Sequence, residues 1–204
     1  MSNKLLTVGR QFGSGGYDIA KRVSEKLSMG FYDKELLKES AKNSGLCEEV
    51  FHDFDERPTN SFLYSLVMDP YSAIGFHSGT MDMPLNHKVF LASFDTIKAI
   101  ADKESAVFVG RCADYALENR DNVLNVFIYA NIDDRIKRVA ERLQIDEKQA
   151  KDVINKQDKQ RSSYYNYYTT KKWGAISSYD LCINSSILGI EKTSDYIIEF
   201  LNAM

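Results

Sequence analysis

A glycine-rich loop between an apolar run and a helical pattern constrains this chain more than any other stretch. Leu5, Leu6, Thr7 and Val8 lead into Gly9, Arg10, Gln11, Phe12, Gly13, Ser14, Gly15 and Gly16. Ile19, Ala20, Val23 and Leu27 then recur at helical spacing. The continuous apolar character of residues 4–8 predicts a strand buried on both faces, as in a parallel sheet. The following spacing predicts a helix with one apolar face, ended by Ser28, Met29 and Gly30. A strand, a glycine turn and a helix in that order make a cradle for a phosphate group. Gly13, Gly15 and Gly16 carry no Cβ, so the backbone can turn tightly and approach a ligand. The first amides of the helix have no intrahelical acceptor, and with the helix dipole they favour an anion.

The loop departs from the usual phosphate-loop pattern G-x-x-x-x-G-K-[ST], in which Lys reaches the β- and γ-phosphates and Ser or Thr holds magnesium. With Gly15 as the second glycine, Arg10 takes the first position, Gly16 the lysine position and Tyr17 the hydroxyl position. Starting from Gly9 instead puts Ser14 and Gly15 at the last two positions. The backbone half of the motif is present and both side-chain contributions are missing. A plain glycine-rich turn without a ligand is the alternative.

The rest of the chain supplies the setting. Residues 31–32 form a short strand with Asp33 at its carboxyl end, where ligands sit in open α/β sheets; Asp33 can also cap the helix that starts near Lys34. Residues 35–54 read as two helical pieces broken near Gly45. Residues 55–85 combine turn signals at Pro58, Pro70 and Pro84 with Phe62, Tyr64, Met68 and Tyr71, and read as an irregular helical insertion over a site or as simple packing. Residues 86–103 are an amphipathic helix with Phe90, Leu91, Phe94, Ile97 and Ile100 on one face. Residues 105–109 are a buried strand ending in Gly110, Arg111, Cys112, Ala113 and Asp114. Arginine just past a strand end suits bidentate phosphate contact, with a surface ion pair as the alternative.

Residues 123–129 form the next strand. Asn131 can cap a helix through Leu143 that carries Arg135, Arg138 and Arg142, and Asp146 can cap another. This last helix runs into Lys156, Lys159 and Arg161 and then a tyrosine cluster at 164, 165, 167 and 168, which suggests a lid over phosphates. A solvated face, tyrosine packing and base stacking are the other readings. Residues 179–183 form a final strand, residues 184–190 a turn, and residues 190–204 a closing helix with Ile197, Phe200 and Leu201 inward. Five strands alternating with helices predict a parallel sheet with helices on both faces.

Composition excludes several functions. A net charge of −3 opposes a general nucleic-acid binder. The three cysteines, Cys47, Cys112 and Cys182, are far apart and give no zinc or disulfide framework. Cys182 reads as a small buried hydrophobe, and His52, His77 and His87 show no metal-ligand spacing. Neither a signal peptide nor a long apolar span stands out, so a cytoplasmic setting without membrane attachment is expected.

With these segments placed, the chain resembles the cytidylate kinase-like family of P-loop proteins. The resemblance lies in Gly-Arg-Gln-Phe-Gly-Ser-Gly-Gly at 9–16, Phe-Tyr-Asp-Lys-Glu-Leu-Leu at 31–37, Val-Phe-Val-Gly-Arg-Cys-Ala-Asp at 107–114, residues 126–130 with Asp134 and Arg135, and residues 179–186. It implies an α/β P-loop NTPase fold of three layers in one domain, with a nucleoside monophosphate-binding insertion over about 34–85 and a lid over 156–174. It also implies transfer of the ATP γ-phosphate to CMP, dCMP or a related nucleotide, with magnesium. Gln11, Phe12, Gly13, Ser14, Gly15, Gly16 and Tyr17 would then hold the ATP phosphates. Asp33, Lys34 and Arg111 would face the acceptor, and Arg135, Arg138, Lys156, Lys159 and Arg161 would be cations in or beside the lid. Arg10, Arg111 and Arg161 would be the catalytic cations, Arg10 replacing the lysine better than Lys21. Ser14, Asp18 and Asp114 are candidate magnesium contacts. Each missing charge removes on the order of 2–4 kcal/mol of transition-state stabilisation unless another cation substitutes. A nucleotide-binding regulator without turnover and a kinase for another small acceptor are the competing readings.

Overall fold

A computed structural model of the chain describes residues 3–33, 36, 38, 40 and 85–204. Its strands are β1 Leu5–Arg10, β2 Gly30–Tyr32, β3 Ala106–Val109, β4 Val123–Tyr129 and β5 Leu181–Asn184. They form one parallel sheet in the order β2-β3-β1-β4-β5. The helices among the described residues are α1 Gly16–Leu27, α2 Leu85–Lys103, α3 Ala113–Ala116, α4 Ile132–Leu143, α5 Glu147–Tyr168 and α6 Ser185–Ala203. Most of the expected insertion, including Lys34 and the helical pieces and turns of 41–84, lies outside the described residues.

The central strand is buried because it has neighbours on both edges and helices on both faces. β1 pairs with β3 from Leu5 to Val8 and with β4 along its whole length. Its odd and even residues feed different cores. Leu6 and Val8 join Val107, Val109, Leu124, Val126 and Ile128 under α1 and α6, with Ile19, Val23, Ile197 and Leu201 closing that layer. Leu5 joins Phe108, Ala106 and Val123 under α2 and α3, with Ile97, Ile100 and Leu117. Burying each such large side chain contributes roughly 1.5–3 kcal/mol. Chain order departs from β1 first to one side of the sheet and then to the other, and the carboxyl ends at such a switch are where open α/β sheets bind ligands.

Several boundaries move. β1 continues to Arg10, because hydrogen bonding to β4 runs two residues beyond Val8. The last strand starts at Leu181, since Tyr179 ends a short 3-10 turn at Ile176–Ser178. The expected turn at 184–190 is instead the first turn of α6, kinked at Gly189 (φ 70°). Phe200 and Leu91 are 40% exposed, each one residue off the helix face that packs inward. Cys182 is half-buried on the edge strand, where no further strand among the described residues covers it. Asn131 precedes α4 but its side chain makes no cap; its Oδ1 accepts from Asn184 Nδ2 at 3.1 Å. Asp146 does cap α5, with Gln149 completing a reciprocal capping box.

Three of the four clustered tyrosines on α5 are packed core, and Tyr167 is exposed. Tyr164, Tyr165 and Tyr168 are buried against Phe90 and Cys112, and the Phe90 and Tyr168 rings stack at 4.2 Å. Their hydrophobic payload fastens the expected lid segment to α2 and the β3 end. Among the described residues no helix is long and apolar enough to cross a membrane.

Candidate functional site

The glycine loop is held by its carbonyls. Arg161 donates to the Arg10 carbonyl at 3.2 Å, the Ser14 hydroxyl to that of Gln11 at 2.8 Å, and Arg135 Nε to that of Phe12 at 2.8 Å. Arg138 donates to the Gly13 carbonyl at 3.2 Å, and the Ser185 hydroxyl to that of Ser14 at 2.6 Å. In a trans peptide the next amide points opposite to the carbonyl. Pulling the Phe12 and Ser14 carbonyls outward therefore turns the Gly13 and Gly15 amides the other way, as an anion nest requires. Gly13 and Gly15 take φ of 78° and 77°, and no side chain caps the start of α1. A Cβ on Gly13 would lie 2.9 Å from Val139 Cγ2 and 3.0 Å from the Arg135 carbonyl oxygen, so α4 packs directly on the loop.

This loop lines a cavity of about 820 Å³, within the range of small-molecule sites. Gln11, Phe12, Gly13, Gly15, Gly16 and Tyr17 form its floor. Arg10, Arg138, Arg142 and Arg161 face it, against the carboxylates of Asp18, Asp33 and Glu141. One cation in excess over a helix start suits a polyanion.

The strand-end residues meet as an ion pair. Arg111 Nη1 donates to Asp33 Oδ1 at 3.0 Å and to the Val109 carbonyl at 3.4 Å, with the Arg111 side chain 3% exposed. Gly110, Arg111 and Cys112 take φ of 76°, 55° and 55°, three successive left-handed residues. For Arg111 and Cys112 that conformation costs about 1–2 kcal/mol each, and strain of this kind concentrates at functional sites. It turns Arg111 inward onto Asp33, so the pair is buried rather than on the surface. Arg10 Nη2 lies 4.0 Å from the same Asp33 oxygen.

Other expected residues fall elsewhere. Lys156 and Lys159 are exposed on α5 and do not line the cavity. At about 100° per residue they are turned away from the face formed by Asp158 and Arg161. Arg135 is buried and bonded to the Phe12 carbonyl and to Asp158, so it braces the loop from behind. Ser14 is fully buried, its hydroxyl donating to Gln11 and accepting from the Gly16 amide at 3.3 Å. Asp114 accepts from the Tyr165 hydroxyl at 2.5 Å, with Lys171 Nζ at 3.9 Å, beside a cavity of about 20 Å³. Burial raises the Asp114 carboxyl above its usual range, opposed by Tyr165 and Lys171. Burial and the Asp114 charge push the Tyr165 hydroxyl far up, so it stays a neutral donor. Of the three expected magnesium contacts, Asp18 alone lines the large cavity. Among the described residues no group of three or more His, Cys, Asp and Glu is placed to hold a metal.

Sequence reading passed over Asp158. Its Oδ1 accepts the Phe12 amide at 2.7 Å while Oδ2 pairs with Arg135. The Phe12 ring has the Arg142 and Arg161 guanidiniums 5.0 and 5.4 Å from its centre. The signal available was the spacing of Asp158 and Arg161, three apart on one helix face.

A parallel sheet whose first strand ends in an anion nest, with arginines from three later segments converging on it, defines a P-loop kinase fold. Solved structures agree on that architecture. A shikimate kinase from Bacteroides thetaiotaomicron has a TM-score of 0.54 at 14% identity, over 98% of each chain. An uncharacterized protein from Eubacterium ventriosum has a TM-score of 0.75 at 29% identity, over 99% of this chain and 100% of that one. Within that class, the model of the cytidylate kinase-like family matches residues 5–187, and the chain belongs to this family. A cytidylate kinase from Staphylothermus marinus is 24% identical over 191 residues, covering 93% of this chain and 91% of that protein.

Proposed function

We propose that the chain is a nucleoside monophosphate kinase that transfers the γ-phosphoryl group of ATP to CMP, dCMP or a closely related nucleotide. The observation that carries this reading is the buried Arg111–Asp33 pair beside the glycine loop. Asp33 lines the same cavity as the loop, and Arg111, which lines the small neighbouring cavity, is bonded to it. A protein that only held a nucleotide triphosphate would have no use for a strained, buried cation on the acceptor side.

Phosphoryl transfer is chiefly positioning and charge neutralisation. The bond from the γ-phosphorus to the β-phosphate oxygen breaks, and one to an acceptor phosphate oxygen forms, giving ADP and a nucleoside diphosphate. In this reading the Gly13, Gly15 and Tyr17 amides hold the donor phosphates, the Phe12 amide being taken by Asp158 and the Ser14 amide by the Gln11 carbonyl, and Arg138 and Arg142 flank them from α4. Arg111 holds the acceptor phosphate with Asp33 fixing its guanidinium. Arg10 and Arg161 face the space between. The residues fit a magnesium ion carried in with ATP, because such an ion keeps most of its waters and needs one or two carboxylates. Asp18 is the residue that would meet it, and the ion would supply neutralisation of the phosphate charge.

The reading is tested by ADP formation with ATP, magnesium and a panel of CMP, dCMP, UMP, AMP, GMP and shikimate. ADP formation that depends on CMP or dCMP is expected. No ADP with any nucleotide contradicts the reading; stabilisation by ATP without turnover would make the chain a nucleotide-binding module instead. Turnover with shikimate alone would identify a different acceptor class.

A further inference from the structure

We propose that Arg10 and Gly16 are an exchanged pair: the cation usually carried at the helix start has moved to the end of β1, and position 16 is glycine because Arg10 occupies its side-chain space. A Cβ built on Gly16 would lie 2.6 Å from Arg10 Cβ, 3.3 Å from Arg10 Cγ and 3.3 Å from Ile128 Cβ. The clash is with the root of the Arg10 side chain and with a β4 residue whose backbone is locked in the sheet. Neither can swing aside as a flexible side-chain end would. A side chain at 16 and the Arg10 side chain therefore exclude each other. Gly16 takes a helical conformation with no positive φ, so backbone freedom does not explain the glycine.

Entering from the strand end changes what the cation reaches. Arg10 is 9% exposed, lines the large cavity beside Gly13, Gly15 and Gly16, and places Nη2 4.0 Å from the Asp33 oxygen that Arg111 also holds. One arginine thus lines the cavity beside the donor cradle and stands 4.0 Å from the acceptor-side carboxylate. A lysine at position 16 is a point charge without that planar fork. Arg10 is in this account a phosphate-contacting cation that also couples donor to acceptor. The inference rests on the reading of the cavity as an ATP site.

The test measures ADP affinity by calorimetry, melting temperature, and turnover with ATP and CMP for wild type, Arg10→Ala, Gly16→Lys and the double variant Arg10→Gly/Gly16→Lys, which leaves no Cβ at position 10 to meet the new side chain. Loss of one charged phosphate contact corresponds to about 10- to 100-fold in affinity, so Arg10→Ala should bind ADP at least tenfold more weakly while remaining folded. Gly16→Lys alone should melt lower than wild type. The double variant should melt above Gly16→Lys and bind ADP at least fivefold more tightly than Arg10→Ala. Arg10→Ala binding ADP within threefold of wild type overturns the exchange. So does a folded double variant that binds no more tightly than Arg10→Ala. Wild type that binds ADP but phosphorylates no acceptor overturns the kinase reading and leaves the exchange to be judged on the ADP affinities alone.

Discussion

Asp158 holds the glycine loop through Phe12: its Oδ1 accepts the Phe12 amide at 2.7 Å across 146 residues of sequence, and its other oxygen pairs with Arg135. Arg135 in turn donates to the Phe12 carbonyl. Both peptide groups flanking Phe12 are thereby fixed by one ion pair from α4 and α5. Asp158→Ala leaves a buried guanidinium and an amide without their acceptor, and should cost about 3–5 kcal/mol of stability. Asp158→Asn keeps an acceptor for Phe12 and should lose less. Chemical denaturation of both variants measures the difference; equal, negligible losses would show that the clamp is not structural.

Arg111 and Asp33 should act on the acceptor more than on ATP. Arg111→Lys keeps the charge but loses the planar fork that would hold an acceptor phosphate while bonded to Asp33 in the proposed reaction. A rise of about tenfold or more in the KM for CMP is expected, with ADP affinity within about threefold of wild type. Steady-state kinetics beside ADP calorimetry checks this. A loss confined to ADP binding would put Arg111 on the donor side.

Gly13→Ala should destabilise the loop. The residue sits at φ 78°, and the added methyl would lie 2.9 Å from Val139 Cγ2 and 3.0 Å from the Arg135 carbonyl oxygen. Left-handed backbone on alanine costs about 1–2 kcal/mol, and displacement of α4 adds to it. A lower melting temperature and weaker ADP binding are expected together. Wild-type ADP affinity in this variant would contradict the packing of α4 on the cradle.

The buried Asp114 carboxyl links stability to pH. Burial raises its pKa above the unfolded value, so the folded state favours the protonated form. Its contribution is fully present below the ordinary carboxylate pKa and is lost as pH rises through the raised folded value. Asp114→Asn can still accept from Tyr165 and does not titrate. The melting temperature of Asp114→Asn relative to wild type should therefore climb as pH increases from 4 towards neutrality. A difference that stays flat with pH would contradict the burial effect.

Local chemistry made much of the fold legible. Residues 106–109 are an unbroken apolar run, residues 5–8 are one broken only by Thr7, and the change from such a run to helical spacing after Gly15 marks the loop. Arg111 and Asp33 each stood at a strand end, and a parallel sheet brings all such ends to one edge. What stayed hidden depended on which way a helix face turns in three dimensions. Lys156 and Lys159 looked equivalent to Arg161, but packing of Tyr164, Tyr165 and Tyr168 on Phe90 sets the rotation of α5 and points Arg161 and Asp158 at the loop. Asp114 resembled a metal contact until Tyr165, 51 residues away, proved to be its partner. The steric exclusion between Arg10 and Gly16 needed coordinates, since the five residues of intervening chain curl back to bring them together.

The central claim is that phosphate moves between two nucleotides on this cavity. It is tested most directly by incubating the protein with magnesium, CMP and ATP labelled at the γ-phosphate, then separating the products. Label in the β-phosphate of CDP, dependent on protein and reduced in Arg111→Lys, is the expected result. Label found only in inorganic phosphate or left in ATP, with CMP, dCMP and UMP each supplied in turn, would contradict it.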